Sequence, residues 1–565
     1  MVIRKTVILR HYNFQLNLIS AIFKTQLLIV FSVFLRKDIF IMKKHILLFI
    51  VLGSVLTFGS CKKKDKDILD LSKSEVHNHD EKIVQIDTTK FDAFFTKYPA
   101  FKEFEPEIKE LYKKHNHYIW HDKNGLIEFA DVLHNQASQI QTEGVKKDIP
   151  YKEQIDELFY SGNSKPDMES ELLVSSMYFY YANTVFKGLS TEASKETGWY
   201  LPRDKVDYVS YLDTLMKKPG LIKEDKSEVF GQYYNLKKGL ERYKELEKKG
   251  GWPTDITLPE GVKSIKAGDS ATAVSQVRKR LFIEGYLKKD SGSNIFDEEL
   301  VAALAKYEKV HHRTPDNLIG PKVVKELNIP VSERIKTIAV NMERCRWVPS
   351  SINKEKEFIA VNIPSYRLFY FRGKDTILVS KVVVGKELNK TVIFSGQMSY
   401  LVFSPYWNVP TSILNKEIKP AIEKDPGYLS KHNMEWAGNR VRQKPGKNNS
   451  LGLVKFMFPN SNNIYLHDTP AKSLFNKDDR AFSHGCVRVE RARDLAIAIT
   501  KKDGGWTEKR VDAAMHKGKE NTYSLKQKIP VYLTYFTAWA DENGNVVFFE
   551  DIYNRDNRLA DMLYN

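Results

Sequence analysis

At 565 residues the chain is too long for one compact domain, and two to four domains are expected. A hydrophobic content of 42%, with 12% aromatic residues, supports packed cores. The formal net charge of +17 suits an anionic partner, whether nucleic acid, membrane headgroups or an acidic wall polymer. No basic run with interleaved aromatics stands out, so the sequence carries no nucleic-acid motif.

Residues 1–61 read as targeting sequence rather than fold. Met42-Lys-Lys-His45 is a basic leader, Ile46 to Phe58 is apolar, and Gly59-Ser60 places small residues before Cys61. The pattern resembles a bacterial lipoprotein signal, which implies lipid on Cys61, a membrane-anchored protein and a periplasmic location in the cell envelope. Met42 is then a better start than Met1. An uncleaved anchor helix is the competing reading, because Gln26 to Leu35 is also apolar. Residues 62–90 are polar and weakly periodic, and read as a tether.

Helical periodicity dominates residues 91–260. Phe91, Phe94, Phe95 and Tyr98 fall at i, i+3, i+4 and i+7, and similar faces recur through Leu172 to Phe186 and Tyr233 to Leu246. Gly251-Trp-Pro253 and Pro259 mark a boundary. Residues 261–330 form a small helical unit: Val274, Val277 and Leu281 make one apolar face, Leu300, Leu304 and Tyr307 a second, and Pro321 starts a third helix. Residues 331–350 read as a linker helix that ends at Pro349.

The period then changes to alternation. Over 351–550 strands are expected at Phe358–Asn362, Arg367–Phe371, Ile377–Val384, Met398–Phe403, Val454–Phe458 and Ile464–His467. Val531–Trp539 and Val546–Phe549 are expected to close the sheet around Asn543-Gly544. Alternation breaks down over 411–450, a long turn-rich interruption of the kind that is usually functional. Residues 551–565 are left as a C-terminal tail.

The chemistry-bearing stretch is Arg480-Ala-Phe-Ser-His-Gly-Cys-Val-Arg-Val-Glu490, taken with His467 in Asn463-Ile-Tyr-Leu-His-Asp468. It supplies one thiol, Cys486, and two imidazoles, His467 and His484. A deprotonated cysteine is a strong nucleophile, and a neighbouring imidazole can take its proton. Gly485 allows backbone angles closed to other residues, which would let the Gly485 and Cys486 N–H groups face a developing oxyanion. Ala492, Leu495, Ala496 and Ile499 recur at helical spacing, so Cys486 is expected just before a helix N-terminus, with His467 at a strand end. A zinc site from His467, His484 and Cys486 competes, but no Cys-x-x-Cys or His-x-x-x-His pair supplies further ligands, and no metal or cofactor is assigned. Of the other cysteines, Cys345 reads as a buried free thiol.

These residues resemble the L,D-transpeptidases of the YkuD type, in which an upstream His precedes a Ser/Thr-His-Gly-Cys box. Tyr465-Leu-His-Asp-Thr-Pro-Ala-Lys472 and Arg480-Ala-Phe-Ser483 are similar to the larger, multidomain YcbB-like class. Tyr112 to Gly125, with Tyr118-Ile-Trp120, resembles that class's helical scaffold, and 261–330 resembles the small peptidoglycan-binding domain beside many wall enzymes. The resemblance implies a multidomain α+β protein: a helical N-terminal scaffold, a small three-helix peptidoglycan-binding-like domain and a mostly β catalytic domain, with 411–450 capping its cleft. It further implies peptidoglycan stem peptides as partners, with 3→3 crosslinks formed through a Cys486 thioester and D-Ala released from tetrapeptide stems. Catalytic roles fall on Cys486, His467, His484 and Gly485, and substrate-binding roles on Arg488, Ser483, Tyr465 and Trp407, with Trp436 also on the cleft. His467 would be oriented by Asp468 or by a backbone carbonyl. Carbapenem β-lactams are the implied inhibitors. Two rivals stand beside this reading: a cysteine L,D-carboxypeptidase or other hydrolase using the same residues, and a non-catalytic wall-binding lipoprotein.

Overall fold

The computed structural model describes residues 85–122, 125–160, 166–218 and 229–564. The targeting segment, Cys61 and the tether through residue 84 lie outside the described residues. Among those described, no helix is long and apolar enough to cross a membrane. The first described residues fall inside the span read as tether: Gln85 bridges to His117, Ile86 is buried, and Asp87 caps a helical turn over Thr88–Lys90.

The first core gathers the aromatic face Phe91, Phe94, Phe95 and Tyr98 with helices α1 (Glu105–His115) and α2 (Met168–Ala182). Helix α2 is buried on nearly all sides, which is why its sequence lacks an amphipathic period. Its one deeply buried charge, Glu171, organises the segment facing it. The carboxylate accepts from Tyr112 Oη (2.8 Å) and the Ile119 N–H (2.6 Å), and lies 2.7 Å from His121 Nδ1. Trp120 Nε1 donates to Ser175 Oγ one turn along (2.8 Å). Glu171→Ala strands these donors in an apolar core, and we expect it to lower the stability of this region by about 3–5 kcal/mol. Urea unfolding monitored by tryptophan fluorescence should show the loss, and a cost under about 1 kcal/mol would mean that solvent, rather than Glu171, satisfies the strand.

The helical region does not form one unit. Helix α3 (Gln232–Lys248), with Trp199 and Leu201, belongs to a second core shared with the β domain. Gly239 on α3 makes the close approach possible, since a Cβ there would lie 2.5 Å from Val546 Cγ2. The small unit that follows contains α4 (Thr272–Ile283), α5 (Glu298–Val310) and α6 (Pro321–Leu327) around Val274, Val277, Leu281, Leu300, Leu304 and Tyr307. A two-residue antiparallel pairing, Ile265–Lys266 with Leu318–Ile319, was too short to leave an alternation signal. Asn317 turns the chain into it with a φ of 58°.

Helix α7 (Val331–Arg346) corrects the linker expectation. It is a central strut, with the charged side chains of Arg334, Glu343, Arg344 and Arg346 buried. Toward the helical region, Arg346 donates to the carbonyls of Val185 (2.9 Å) and Glu143 (2.6 Å), while Glu343 holds Arg346, the Leu189 N–H and Trp347 Nε1. Toward the β domain, Asn341 and Arg344 reach Thr537 and Asp556. Charges placed at core positions for pairing break the amphipathic signal that a sequence reading relies on.

The β domain contains fourteen strands: β1 (Glu357–Asn362), β2 (Arg367–Arg372), β3 (Asp375–Gly385), β4 (Ser395–Phe403), β5 (Trp407–Asn408), β6 (Met434–Ala437), β7 (Arg440–Gln443), β8 (Val454–Met457), β9 (Leu466–His467), β10 (Ala481–Ser483), β11 (Val487–Val489), β12 (Asn521–Thr534), β13 (Ala538–Ala540) and β14 (Val546–Phe548). The main sheet runs β10-β3-β11-β9-β8-β4-β12-β1-β2, and β2 pairs back onto β3. Eight strands therefore close into a barrel, with β10 added along β3. Closure removes the free edges that an open sheet would expose.

Two expectations are overturned here. The Asn543-Gly544 hairpin, β13 with β14, is a separate two-stranded ladder packed on α3, and does not close the sheet. The strand that does close it, β12, starts at Asn521 and includes the polar stretch Lys526-Gln-Lys528, where its register with β4 shifts between Ser524 and Ile529. The residues read as a tail form helix α9 (Asp556–Tyr564), which buries Leu559 and Leu563; α8 (Ala492–Gly504) precedes it, packed on the barrel.

Candidate active site

Strand register assembles the site. Antiparallel β8 pairs Lys455 with His467, and parallel β11 pairs His467 with Arg488. Side chains directly across a ladder share a face, as do residues two apart on a strand. Tyr465, His467, Lys455, Arg488 and Cys486 therefore stand on one face of the barrel, although they come from three separate stretches of sequence. The Tyr465 ring meets the His467 ring edge-on at 5.7 Å, and the Lys455 ammonium sits 4.9 Å from the Tyr465 ring centre.

Cys486 lies in the two-ended loop between β10 and β11, its Sγ 3.8 Å from the Asn463 carbonyl oxygen. Strand β11 separates it from α8, so it is not at a helix N-terminus as the spacing suggested. Gly485 has a φ of 116°, a conformation that a side chain would strain. Its N–H is already spent on Ser483 Oγ (3.1 Å), which corrects its assignment to the oxyanion hole. Ser483 Oγ in turn donates to the Cys486 carbonyl (2.5 Å), and the side chain is buried. Ser483 thus shapes the loop and has no hydroxyl to offer a substrate.

A shell that the sequence did not point to holds this loop from behind. Thr391 Oγ1 donates to the Gly485 carbonyl (2.8 Å) and accepts from the Gly385 N–H (2.9 Å). Tyr553 Oη donates to the Gly385 carbonyl (2.6 Å) and accepts from the Thr391 N–H (3.1 Å). No motif flags Thr391 or Tyr553, because their partners are backbone groups 94 and 168 residues away.

His484 points the other way, its Nε2 2.9 Å from Glu417 Oε1 in the insertion. Trp407, on β5, packs with the insertion's own small core of Val409, Ile413, Leu414, Ile418, Met434 and Val441, and Trp436 is exposed on β6. Neither tryptophan is brought to Cys486 by a described contact. Among the described residues no three metal-ligating side chains converge.

Residues 356–512 match the L,D-transpeptidase catalytic domain of the YkuD family, and residues 106–240 match the family described as a Scaffold domain. A Haemophilus influenzae protein provisionally named an L,D-transpeptidase is 33% identical over 357 residues, covering 57% of this chain and 70% of the relative. The chain belongs to the L,D-transpeptidase family. Solved structures of an L,D-transpeptidase from Mycobacterium smegmatis (10% identity, TM-score 0.19, 32% of this chain and 58% of that one) and of LD transpeptidase LdtMt1 in complex with imipenem (11%, 0.17, 32% and 59%) are far weaker likenesses. They add nothing to the assignment. The enzyme is thus a multidomain α+β transpeptidase that acts on peptidoglycan, with a helical scaffold before a catalytic β-barrel.

Within this transpeptidase His467 is 4% exposed. Burial, with the nearby Arg488 charge second, pulls its pKa down to about 3. Its Nδ1 lies 2.5 Å from the Asp468 carbonyl oxygen, so that carbonyl, and not the Asp468 carboxylate, orients the ring. The carboxylate instead accepts from the Leu453 N–H (2.9 Å) and pairs with Lys472 (2.7 Å). An Nδ1–H bond of this kind fixes the tautomer in which Nε2 is the basic nitrogen, and a second backbone contact, to Leu451, also holds the ring. Burial also pushes the Cys486 thiol above its ordinary value, against smaller opposing effects from Tyr465, Lys455 and Arg488. Cys345, inside α7, is wholly buried and is driven much further up.

Both shifts favour a neutral thiol and a neutral imidazole on this face over a thiolate–imidazolium pair. The lowered imidazole pKa keeps His467 unprotonated at every pH above about 3, and the raised thiol pKa keeps Cys486 protonated through neutrality. We therefore expect iodoacetamide alkylation of Cys486 to rise steadily with pH from 5 to 9, with no plateau between 5 and 7. A plateau in that range would show a charged pair instead, and an acid limb near pH 6.5 in kcat/KM would show an imidazole at its ordinary pKa rather than a lowered one.

Proposed function

We propose that the enzyme crosslinks peptidoglycan stems 3→3 through a thioester on Cys486. The observation that carries this reading is the placement of Cys486, His467 and Tyr465 on one barrel face, with His467 neutral and its Nδ1 already engaged. As substrate binds, His467 Nε2 takes the thiol proton and sulfur attacks the carbonyl of the third residue, at its L-centre. The C–N bond breaks and D-Ala leaves, its amine receiving the proton from His467. A side-chain amine of a second stem then attacks the thioester, gives its proton to His467, and the thiol is restored. The Cys486 N–H, with Arg488 beside it, is the candidate oxyanion donor in place of Gly485.

Incubation with defined tetrapeptide muropeptides tests this, with mass spectrometry of both products and protein. A dimer lighter by one alanine, and an acylated Cys486, are expected. Tripeptide alone would make the enzyme an L,D-carboxypeptidase working through the same residues. A carbapenem, whose strained carbonyl replaces the donor, should leave one adduct on Cys486 and none on buried Cys345.

The lipoprotein-like segment supports a location on the periplasmic side of a bacterial membrane, with lipid on Cys61 keeping the enzyme in reach of its polymer. Cys61→Ser should block processing, and a native chain that still begins at Met1 would favour an anchor helix.

A further inference from the structure

Lys455 and Arg488 are two cations on the catalytic face that no anion of the described residues pairs in the resting protein, and the acyl-transfer steps use only Arg488, beside the transient oxyanion. Both are half-buried, and among the described residues neither forms an ion pair. Arg488 Nε is buried with no hydrogen-bond partner. The acid that Lys455 senses most, Glu520, is exposed and already accepts the Tyr406 N–H at 2.8 Å. The Tyr465 ring, 4.9 Å from the ammonium, offsets only part of its lost hydration. An unpaired cation held this way is costly to the resting fold and favourable once an anion arrives. Cys486 is the other group whose charge acts on both cations, and burial raises its pKa, which favours the neutral thiol.

We infer that Lys455, with Arg488, receives the free α-carboxylate of the D-residue that leaves in acylation, and that this contact is what discriminates a stem ending at position four from one that is amidated or extended there. The inference rests on the acyl-transfer reading above. The carboxylate carbon of the leaving residue lies two bonds from the scissile nitrogen. Lys455 sits directly across the ladder from His467, where paired Cα atoms are about 4.5–5.5 Å apart. The group that returns a proton to the leaving amine and the cation that holds its carboxylate are thus neighbours. A stem extended by one residue would present a neutral amide at this point.

The test compares a tetrapeptide muropeptide with the same muropeptide ending in a carboxamide, reading Cys486 acylation rates for wild type, Lys455→Met and Lys455→Arg. Wild type should prefer the free acid by roughly 10- to 100-fold in kcat/KM, as for a charge-assisted hydrogen bond. Lys455→Met should bring that ratio close to one, and Lys455→Arg should restore most of it. Equal loss on both substrates, with the ratio kept, overturns the carboxylate role and leaves Lys455 a structural or thiol-tuning residue. A wild type indifferent to the carboxamide overturns it too. If wild type acylates Cys486 with neither substrate, the acyl-transfer reading falls, and the role of Lys455 with it.

Discussion

Cys486→Ala should reduce crosslinking by on the order of 10⁴-fold or more, and His467→Ala by a comparable factor, because nucleophile and base act in a single step. The two losses should not add: the double variant should be scarcely slower than Cys486→Ala. Cys486 lies in a loop outside the barrel's core packing, so the thermal midpoint should move little in Cys486→Ala. His467 is more deeply set, and Gln there is the safer replacement since it can still donate to the Asp468 carbonyl. His484→Ala should be much milder, because His484 faces Glu417 and not the reacting atoms. Crosslinking that survives Cys486→Ala near the wild-type rate would end the thioester mechanism. Equal and total loss in His484→Ala would reopen the choice of base.

The second large effect is expected from shortening the insertion over 411–450. A thioester beside an open cleft meets water at high concentration, so transfer prevails only where the acceptor amine is held close and water is kept out. Such positioning is worth on the order of 7–11 kcal/mol when complete. The insertion is built for that task in two respects. It has its own apolar core, from Val409 to Val441, so it can be trimmed without opening the barrel core. Glu417 also joins it to His484, two residues before the nucleophile. Asn449 should be kept, since its side chain holds the Pro405 carbonyl at 3.1 Å, where the chain leaves the barrel. Trimming 411–442 to a short Gly/Ser link should raise the ratio of tripeptide to 3→3 dimer by about 10- to 100-fold, a fraction of the full positioning effect, while a carbapenem still acylates Cys486. An unchanged product ratio with Cys486 fully reactive would remove the insertion from acceptor selection and leave that to the loop from Arg480 to Arg488.

Much of the site is legible in the sequence because the reacting groups are local. Ser483 to Cys486 is one loop, and His467 stands on the strand paired with the next one, so residue types and spacing alone suggest a thiol and its base. The same stretch misleads where backbone donors matter. The Gly485 N–H is unavailable because Ser483 Oγ lies within reach, a contact set by the loop's path and not by its composition. Strands β1 to β4 are legible from alternation, whereas β12 is not, since its middle is solvated and polar. Helices α7 and α9 were read as linker and tail for a related reason. Their buried charges, Glu343, Arg344, Arg346 and Asp556, are satisfied only by partners elsewhere in the chain.

By itself, then, the sequence determined the class of chemistry, the candidate nucleophile and candidate imidazole, the helical-then-β order of the chain and the place of the long insertion. These follow from side-chain chemistry and from periods of 3.6 and 2 that are visible over a few residues. The tertiary structure alone decided which distant groups share the catalytic face. Lys455 joins it because β8 runs antiparallel to β9 in a register that sets it across from His467. Thr391 and Tyr553 brace the loop because closing the barrel and folding back the C-terminal segment bring them behind Gly485. Strand register and barrel closure are set by the summed packing of the whole core, so no local pattern encodes them.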